Sequence, residues 1–394
     1  MSADTLVVCG AARTPIGRFL GGLSSVPAVE LGVVAVNAAL ERAKCSHDAV
    51  EQVFLGMARQ AGEGPNVARQ VSIRSGIPET ATAMTVNQAC ASGLRSLALA
   101  AQEIRSGAAK VAVAGGVETM SRNPFLLTGM RQGYRLGDAP LLDGNYQDGF
   151  HCPLAGTPMG ATAETLADQY EISRDEQDAY AVESQRKAQV AIEEGRFTRE
   201  IAPVTVKGRK GDTVVEADEH PRANATLEGM AKLPTVFRKE GSVTAGNSSG
   251  ITDGAAALVL TTEGYAAENG MPVLARLEDW AMAGVSPEIM GIGPVPATRR
   301  LLEQTGLALD DFGLVELNEA FAAQVIACDR ELGLDAARLN VNGGSIALGH
   351  PIGCTGARIV VTLLHEMERQ GVSRGLATLC VSGGMGIAAS FARD

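Results

Sequence analysis

Two stretches of this chain repeat one order of features: CASGLRSLALAAQEIRSGAAKVAVAGGVE over residues 90–118 and GCTGARIVVTLLHEMERQGVSRGLATLCVSGG over residues 353–384. Each runs from a small-residue turn through Ser/Thr-Gly-x-Arg into a helix-like run ending near a glycine, then into an apolar strand closed by Gly-Gly. Internal duplication is the economical reading, with generic βα periodicity as its alternative. It predicts two similar α/β halves with sheets covered on both faces. Residues 5–11 and 109–114 read as buried strands and residues 31–43 as a helix, which fits that pattern.

A chain of 394 residues exceeds the usual single hydrophobic core, so two or three domains are expected. Lys and Arg number 34 against 45 Asp and Glu, and a net charge of −11 is opposite to what binding a phosphate backbone requires. Nucleic acid is therefore not an expected partner. No run of about 18 apolar residues suggests a membrane span, and the N-terminus lacks a basic segment followed by an apolar run. These features predict a soluble, cytoplasmic protein. The seven cysteines contain no C-x-x-C pair, which argues against a disulfide framework or structural zinc.

Residues 121–160 are rich in Gly, Pro, Leu and Met without clear periodicity and read as an extended loop region. Ser173-Arg174-Asp175-Glu176 is a capping-box signature for a helix running to Gly195. Residues 196–240 carry nine Lys/Arg against seven Asp/Glu, a locally basic island that reads as a solvated surface or as a phosphate site.

Cys90 stands in TVNQACASGLRS, just before a predicted helix. A helix N-terminus favours thiolate, and the small residues Ala89, Ala91, Ser92 and Gly93 leave room for a substrate carbonyl and backbone donors. Placement alone leaves a buried structural cysteine the commoner reading. Of five histidines, His350 lies in a Gly-rich run at the counterpart of the Cys90 turn, where the two would meet between the halves. His365, in LLHEMERQ, reads as a helix-surface residue, and the His151-Cys152 pair falls short of a metal-ligand set. Cys380 follows a strand-like LATL and reads as buried. Asn318 and Glu319 lie at a strand end, where α/β sites gather, with helix capping as their alternative role.

NQACASG around Cys90, GNSSGITDGA from Gly246, NEAFA from Asn318, GGSIALGHPIGCTGAR from Gly343 and LCVSGGMG from Leu379 together resemble the thiolase family. The likeness runs essentially end to end, from AARTPIGRF onward. It implies a five-layered α-β-α-β-α core built from two α/β halves. Residues 1–120 with 251–272 would form the N-terminal half, 121–250 a loop domain and 273–394 the C-terminal half.

The resemblance assigns Cys90 as the acyl-accepting nucleophile, His350 as its activating histidine and Cys380 as a second cysteine acting as acid and base. A water on Asn318 would help with the enolate and thioester oxygen, and the amides of Cys90 and Ser382 would form the oxyanion site. Ser382 stands where the family often has Gly, which matters if the position requires φ > 0. Arg222 and Ser249 match CoA contacts, and Met159, Phe237 and Phe321 match positions lining the acyl and pantetheine pocket, with core packing as the alternative. The implied activity is thiolytic cleavage of 3-ketoacyl-CoA, or the reverse condensation of acetyl-CoA. CoA is then a substrate, no tightly bound cofactor or metal is expected, and a homo-oligomer, dimer or tetramer, is implied.

Pro158-Met159-Gly160 replaces the His-Met-Gly of short-chain relatives and points to substrates longer than acetoacetyl-CoA. A short-chain acetyl-CoA acetyltransferase is the alternative. A ketoacyl synthase is disfavoured by Cys380 and NEAFA, and a non-catalytic acyl-CoA binder by the presence of Cys90, His350 and Cys380 together.

Overall fold

The computed structural model describes residues 5–394; residues 1–4, assigned above to the N-terminal half, lie outside the described residues. The first half runs β1 (Leu6–Arg13), α1 (Ala28–Arg42), β2 (Gln52–Gly56), α2 (Val67–Arg74), β3 (Thr82–Val86), α3 (Ser92–Arg105) and β4 (Ala112–Thr119). A long insertion follows, carrying α4 (Met159–Gln169) and α5 (Arg174–Glu193), before β5 (Thr252–Thr262) completes the half. The second half runs β6 (Ala275–Gly284), α6 (Pro294–Thr305), β7 (Leu314–Leu317), α7 (Ala322–Leu332), α8 (Ile352–Gln370), β8 (Arg374–Val381) and β9 (Met385–Ala392).

The strands lie in the order β7-β8-β9-β6-β1-β5-β4-β2-β3. Outward from the centre, β1-β5-β4-β2-β3 is matched by β6-β9-β8-β7 and a parallel bridge of Val315 to Leu339. Pairing directions match as well: β2 lies parallel to β4 as β7 does to β8, and β4 antiparallel to β5 as β8 does to β9. The halves are therefore one βα pattern used twice, as the repeated sequence order implies. They join through Val7↔Arg276 and Val8↔Ala275.

Helices α1 and α2 cover one outer face, and α6 and α7 the other. Between the halves lie α3 and α8, packed on each other and on strands; α8 touches β4 and β5 of one half and β7 and β8 of the other. The central core accordingly mixes Leu94, Leu97, Ile359, Val360 and Leu363 with Leu258, Leu379 and Phe391. This is the expected five-layered arrangement.

Burial on all sides explains a misreading of α8. His365 faces inward, with Nε2 3.3 Å from the Ala11 carbonyl, and burial lowers its pKa. The polar string HEMERQ suggested surface because Glu366, although buried, is neutralised locally by Arg369, Gln370 and Asn342. A second correction concerns Gly115-Gly116, which continues β4 where the sequence suggested a stop. A Cβ there would collide with the carbonyls of Ala256 and Gly353, so these glycines permit close approach. Gly383 and Gly384 do close β8, both with φ +88°.

Gly93 and Gly356, the glycines of the two Ser/Thr-Gly-x-Arg motifs, sit where α3 crosses α8. A Cβ on Gly93 would lie 2.6 Å from the Ala357 nitrogen, and one on Gly356 would collide with the Leu94 nitrogen. Gly93, read above as room for substrate, is fully enclosed and serves this crossing, as do its buried neighbours Ala91 and Ser92. The inserted α5 has the predicted capping box, with Ser173 Oγ accepting from the Glu176 amide at 3.2 Å, and it stops before Gly195 at φ +67°.

Because backbone is what a Cβ would meet, Gly93→Ala is expected to destabilise the fold by about 1–3 kcal/mol. A fall in the urea midpoint at constant m value is the readout. An unchanged midpoint would mean the two helices separate freely.

Candidate active site

Cys90 precedes α3 in a turn that local bonds hold tightly. Ser92 Oγ accepts from the Gln88 amide at 2.8 Å and donates to the Ala89 carbonyl at 2.6 Å. Ala89 adopts φ +46°, sparsely populated for a residue with a Cβ, which turns the chain so that Cys90 faces the pocket. His350 enters from the equivalent turn before α8, and its Nε2 lies 3.4 Å from Cys90 Sγ. The sequence-predicted meeting of the two turns is thus present.

Thr355, which the sequence reading did not single out, sets the imidazole. Its hydroxyl donates to the Pro351 carbonyl at 3.0 Å and lies 2.6 Å from His350 Nδ1. With its proton committed to Pro351, Thr355 Oγ1 accepts from Nδ1–H, and the Nε2 lone pair faces the thiol. Burial pushes the His350 pKa down to about 3, assisted by the positive charges of Arg358 and Arg59. The ring is therefore a neutral base at physiological pH.

Helix placement suggested a depressed Cys90 pKa, and the structure corrects this. Burial raises it, outweighing the opposing Ser382 amide, Arg59 and the Cys90 amide. Desolvation wins because the thiol is 9% exposed and set in the central core. At rest the pair is neutral thiol and neutral imidazole. The Ser382 and Cys90 amides nevertheless favour the thiolate once it forms. Ser382 is not among the residues with positive φ, so a side chain there imposes no left-handed strain.

Cys380, in β8, is fully buried among Ala163, Val243, Met290, Ala320 and Phe321. The last three line the Cys90 pocket, so Cys380 lies directly behind its wall. Burial raises its pKa well above the usual thiol value, and Cys90 adds to the rise. Asn318 is also buried; its Oδ1 accepts from Ser345 Oγ at 2.6 Å, while its Nδ2 meets no partner among the described residues. Neither Asn318 nor Glu319 caps α7, whose N-cap is Phe321. Glu319 instead ties the insertion to the second half, accepting from Tyr180, Ser184, Asn340 and the Ile346 amide.

Met159, Ser249 and Phe321 line the pocket, of about 60 Å3, with Cys90, His350 and Ser382. Phe237 packs edge-on against Phe321 at 6.2 Å and so backs the wall. Arg222 is exposed and outside that wall, held by its amide on Gln185 Oε1 at 2.8 Å. Gly149, Met159 and Ser382 also line a second cavity, of about 580 Å3, bounded by residues 147–149 and 151–154 of the insertion. Arg59, Gly149, Phe150 and Met290 in the wall escaped sequence reasoning, because none lies in a catalytic-looking motif. Among the described residues no group of three or more His, Cys, Asp or Glu is placed to hold a metal ion, and no helix is long and apolar enough to cross a membrane.

Residues 6–264 match the family model described as thiolase, N-terminal domain, and residues 271–393 the one described as thiolase, C-terminal domain. The acetyl-CoA acetyltransferase of Pseudomonas aeruginosa is 52% identical over 390 residues, covering 99% of each chain. Among solved structures, the Bacillus anthracis acetyl-CoA acetyltransferase superposes with a TM-score of 0.97 at 46% identity over 98% of each chain. The human mitochondrial 3-ketoacyl-CoA thiolase in complex with CoA gives 0.96 at 41% identity, covering 100% of this chain and 98% of that one.

The neutral imidazole has a consequence for stability. Between pH 6.5 and about 3 the unfolded chain protonates this histidine while the folded chain does not, so stability falls as pH drops through that window. His350→Asn is expected to flatten this part of the urea midpoint against pH curve. An identical slope in both proteins would show that His350 is protonated in the fold.

Proposed function

The chain belongs to the thiolase family, and from that premise we propose how its own residues divide the work of acyl transfer to and from CoA. The carrying observation is the 3.4 Å approach of His350 Nε2 to Cys90 Sγ in a buried pocket that Ser382 also lines. In the cleavage direction His350 Nε2 takes the Cys90 proton as Sγ attacks C3 of a 3-ketoacyl-CoA. The amides of Cys90 and Ser382 receive the tetrahedral oxyanion. The C2–C3 bond breaks, leaving acyl-Cys90 and the acetyl-CoA enolate, and Cys380 protonates C2. A water on the unpartnered Asn318 Nδ2, with His350, stabilises the enolate oxygen. CoA then gives up its thiol proton to Cys380 and attacks the thioester, and the departing Cys90 sulfur takes its proton back from His350 Nε2, which restores both resting groups. The reverse sequence condenses two acetyl-CoA. Every proton has a side-chain carrier, which supports CoA as substrate with no tightly bound cofactor.

For substrate range we favour 3-ketoacyl-CoA longer than acetoacetyl-CoA. Pro158 caps α4 and offers no hydrogen bond, Met159 flanks both cavities, and the larger has space for an extended chain. The short-chain reading is favoured by the printed names of the bacterial relatives. Assembly as a homo-oligomer, CoA contacts through Ser249 and Arg222, and the three-part division at residues 121, 251 and 273 remain part of this proposal.

Cys90→Ala is expected to lose acylation by acetyl-CoA, detected as loss of the mass increment on the protein. Cys380→Ala should still acylate yet cleave acetoacetyl-CoA at least about 10²-fold more slowly, the scale of lost general acid-base catalysis. Full turnover by either variant would remove its assigned role. A kcat/KM series over 3-ketoacyl-CoAs of increasing length should rise beyond four carbons, whereas activity confined to acetoacetyl-CoA would establish the short-chain reading.

A further inference from the structure

Arg59 is 4% exposed, follows β2 and lines the pocket that contains Cys90 and His350. Its Nε and Nη2 are buried and meet no hydrogen-bond partner among the described residues. Buried guanidinium groups are ordinarily paired, because an unpaired buried charge is costly. The nearby carboxylate, Glu118 on β4, feels the Arg59 charge but makes no side-chain hydrogen bond with it. Glu118 spends its oxygens on three amides: Ala58 at 3.0 Å, Arg59 itself at 3.1 Å and Gly353 at 2.8 Å. The guanidinium is instead held by shape. It stacks over the Phe150 ring at 5.4 Å, and Gly149 makes room for it, since a Cβ there would overlap Nη2 and Cζ. Phe150 and Gly149 line the same pocket. A positioned cation with unused donors, lining the pocket of the acyl-accepting sulfur, is the complement of an anion carried on the acyl group.

We propose that Arg59 binds a carboxylate at the far end of the acyl chain, so that the preferred substrates are 3-oxoacyl-CoAs with a terminal carboxylate. Planar, bidentate pairing of guanidinium with carboxylate satisfies two donors at once. A methyl terminus leaves them unsatisfied, and that difference is the source of discrimination. The inference rests on the acyl-transfer reading above and names the substrate class of the same site. The chemistry is unchanged: the carboxylate stays on the acyl fragment, which leaves as a carboxyacyl-CoA.

Arg59 also bears on the electrostatics of both Cys90 and His350. A purely electrostatic role would affect all substrates alike, so the readout is a ratio. Thiolysis is measured with 3-oxoadipoyl-CoA and with uncharged 3-oxohexanoyl-CoA, which have the same carbon number, on wild type, Arg59→Met and Arg59→Lys. The wild type is expected to favour the carboxylate substrate in kcat/KM, and Arg59→Met to lower that ratio by about 10–10²-fold, the scale of one charged hydrogen-bonded pair. Arg59→Lys should fall between them. A wild type preferring the uncharged substrate, or a ratio unmoved by Arg59→Met, would overturn the proposal. Should Arg59→Met not fold, the wild-type ratio and Arg59→Lys decide alone. Failure of the acyl-transfer reading is distinct: wild type would then turn over neither substrate nor acylate Cys90 with acetyl-CoA.

Discussion

The crossing of α3 and α8 at Gly93 and Gly356 is the contact on which the rest of the molecule depends. It is close because neither helix presents a side chain there, and backbone lies within van der Waals distance of backbone. Helix α3 begins one residue before Gly93 and α8 four residues before Gly356, so the crossing carries the preceding turns to one place. One turn bears Cys90 and the other His350. Duplication of a βα unit thus explains more than the strand order. The two copies contribute different chemistry at equivalent positions, and catalysis becomes possible only where the copies touch.

The insertion between β4 and β5 completes that central pair with a wall and a roof. Its helix α5 is bound through Tyr180 and Ser184 to Glu319, at the end of β7, while Glu164 on α4 receives the amides of Ser242 and Val243. These are buried, multiply bonded carboxylates, each satisfied by donors from segments distant in sequence. They help hold Met159 in the pocket wall and the GNSSG segment against NEAFA, where the Ser249 amide donates to the Ala320 carbonyl at 3.0 Å. Two elements that seemed separate motifs are therefore one wall.

Much of this was legible because motif and geometry coincide. Cys90, His350, Cys380 and Asn318 each sit in a run whose small residues have a structural reason, and the repeated Ser/Thr-Gly-x-Arg order located the meeting point. What escaped depends on surroundings that no local pattern records. Gly115-Gly116 is the same dipeptide as Gly383-Gly384, yet one pair continues a strand beneath α8 and the other ends a strand with φ +88°. His365 lies in a polar string, but most of its helix is buried between the two halves. Arg59 sits in LGMARQAG without a neighbour that announces a site, and only its burial without a partner distinguishes it from a surface arginine. The helix-terminus expectation for Cys90 failed for the same reason, since the dipole was legible and the desolvation opposing it was not.

That failure clarifies how the site works. A preformed thiolate-imidazolium pair would place two charges in the central core, where the desolvation cost of each is large. The structure keeps both groups neutral and holds ready what charge will need: a lone pair on Nε2, the Ser382 and Cys90 amides that favour thiolate, and an Asn318 Nδ2 with no partner among the described residues. Charge is created only as substrate carbonyl carbon reaches the thiol, and by then the donors that stabilise it are already in place. Their reorganisation was completed in folding, so they favour the transition state more than the resting site. Arg59 extends the same logic, because it is a fixed charge whose Nε and Nη2 meet no acceptor among the described residues. A site that leaves its resting nucleophile neutral and its buried cation unpaired derives selectivity from substrate that supplies both the electrophile and the missing negative charge.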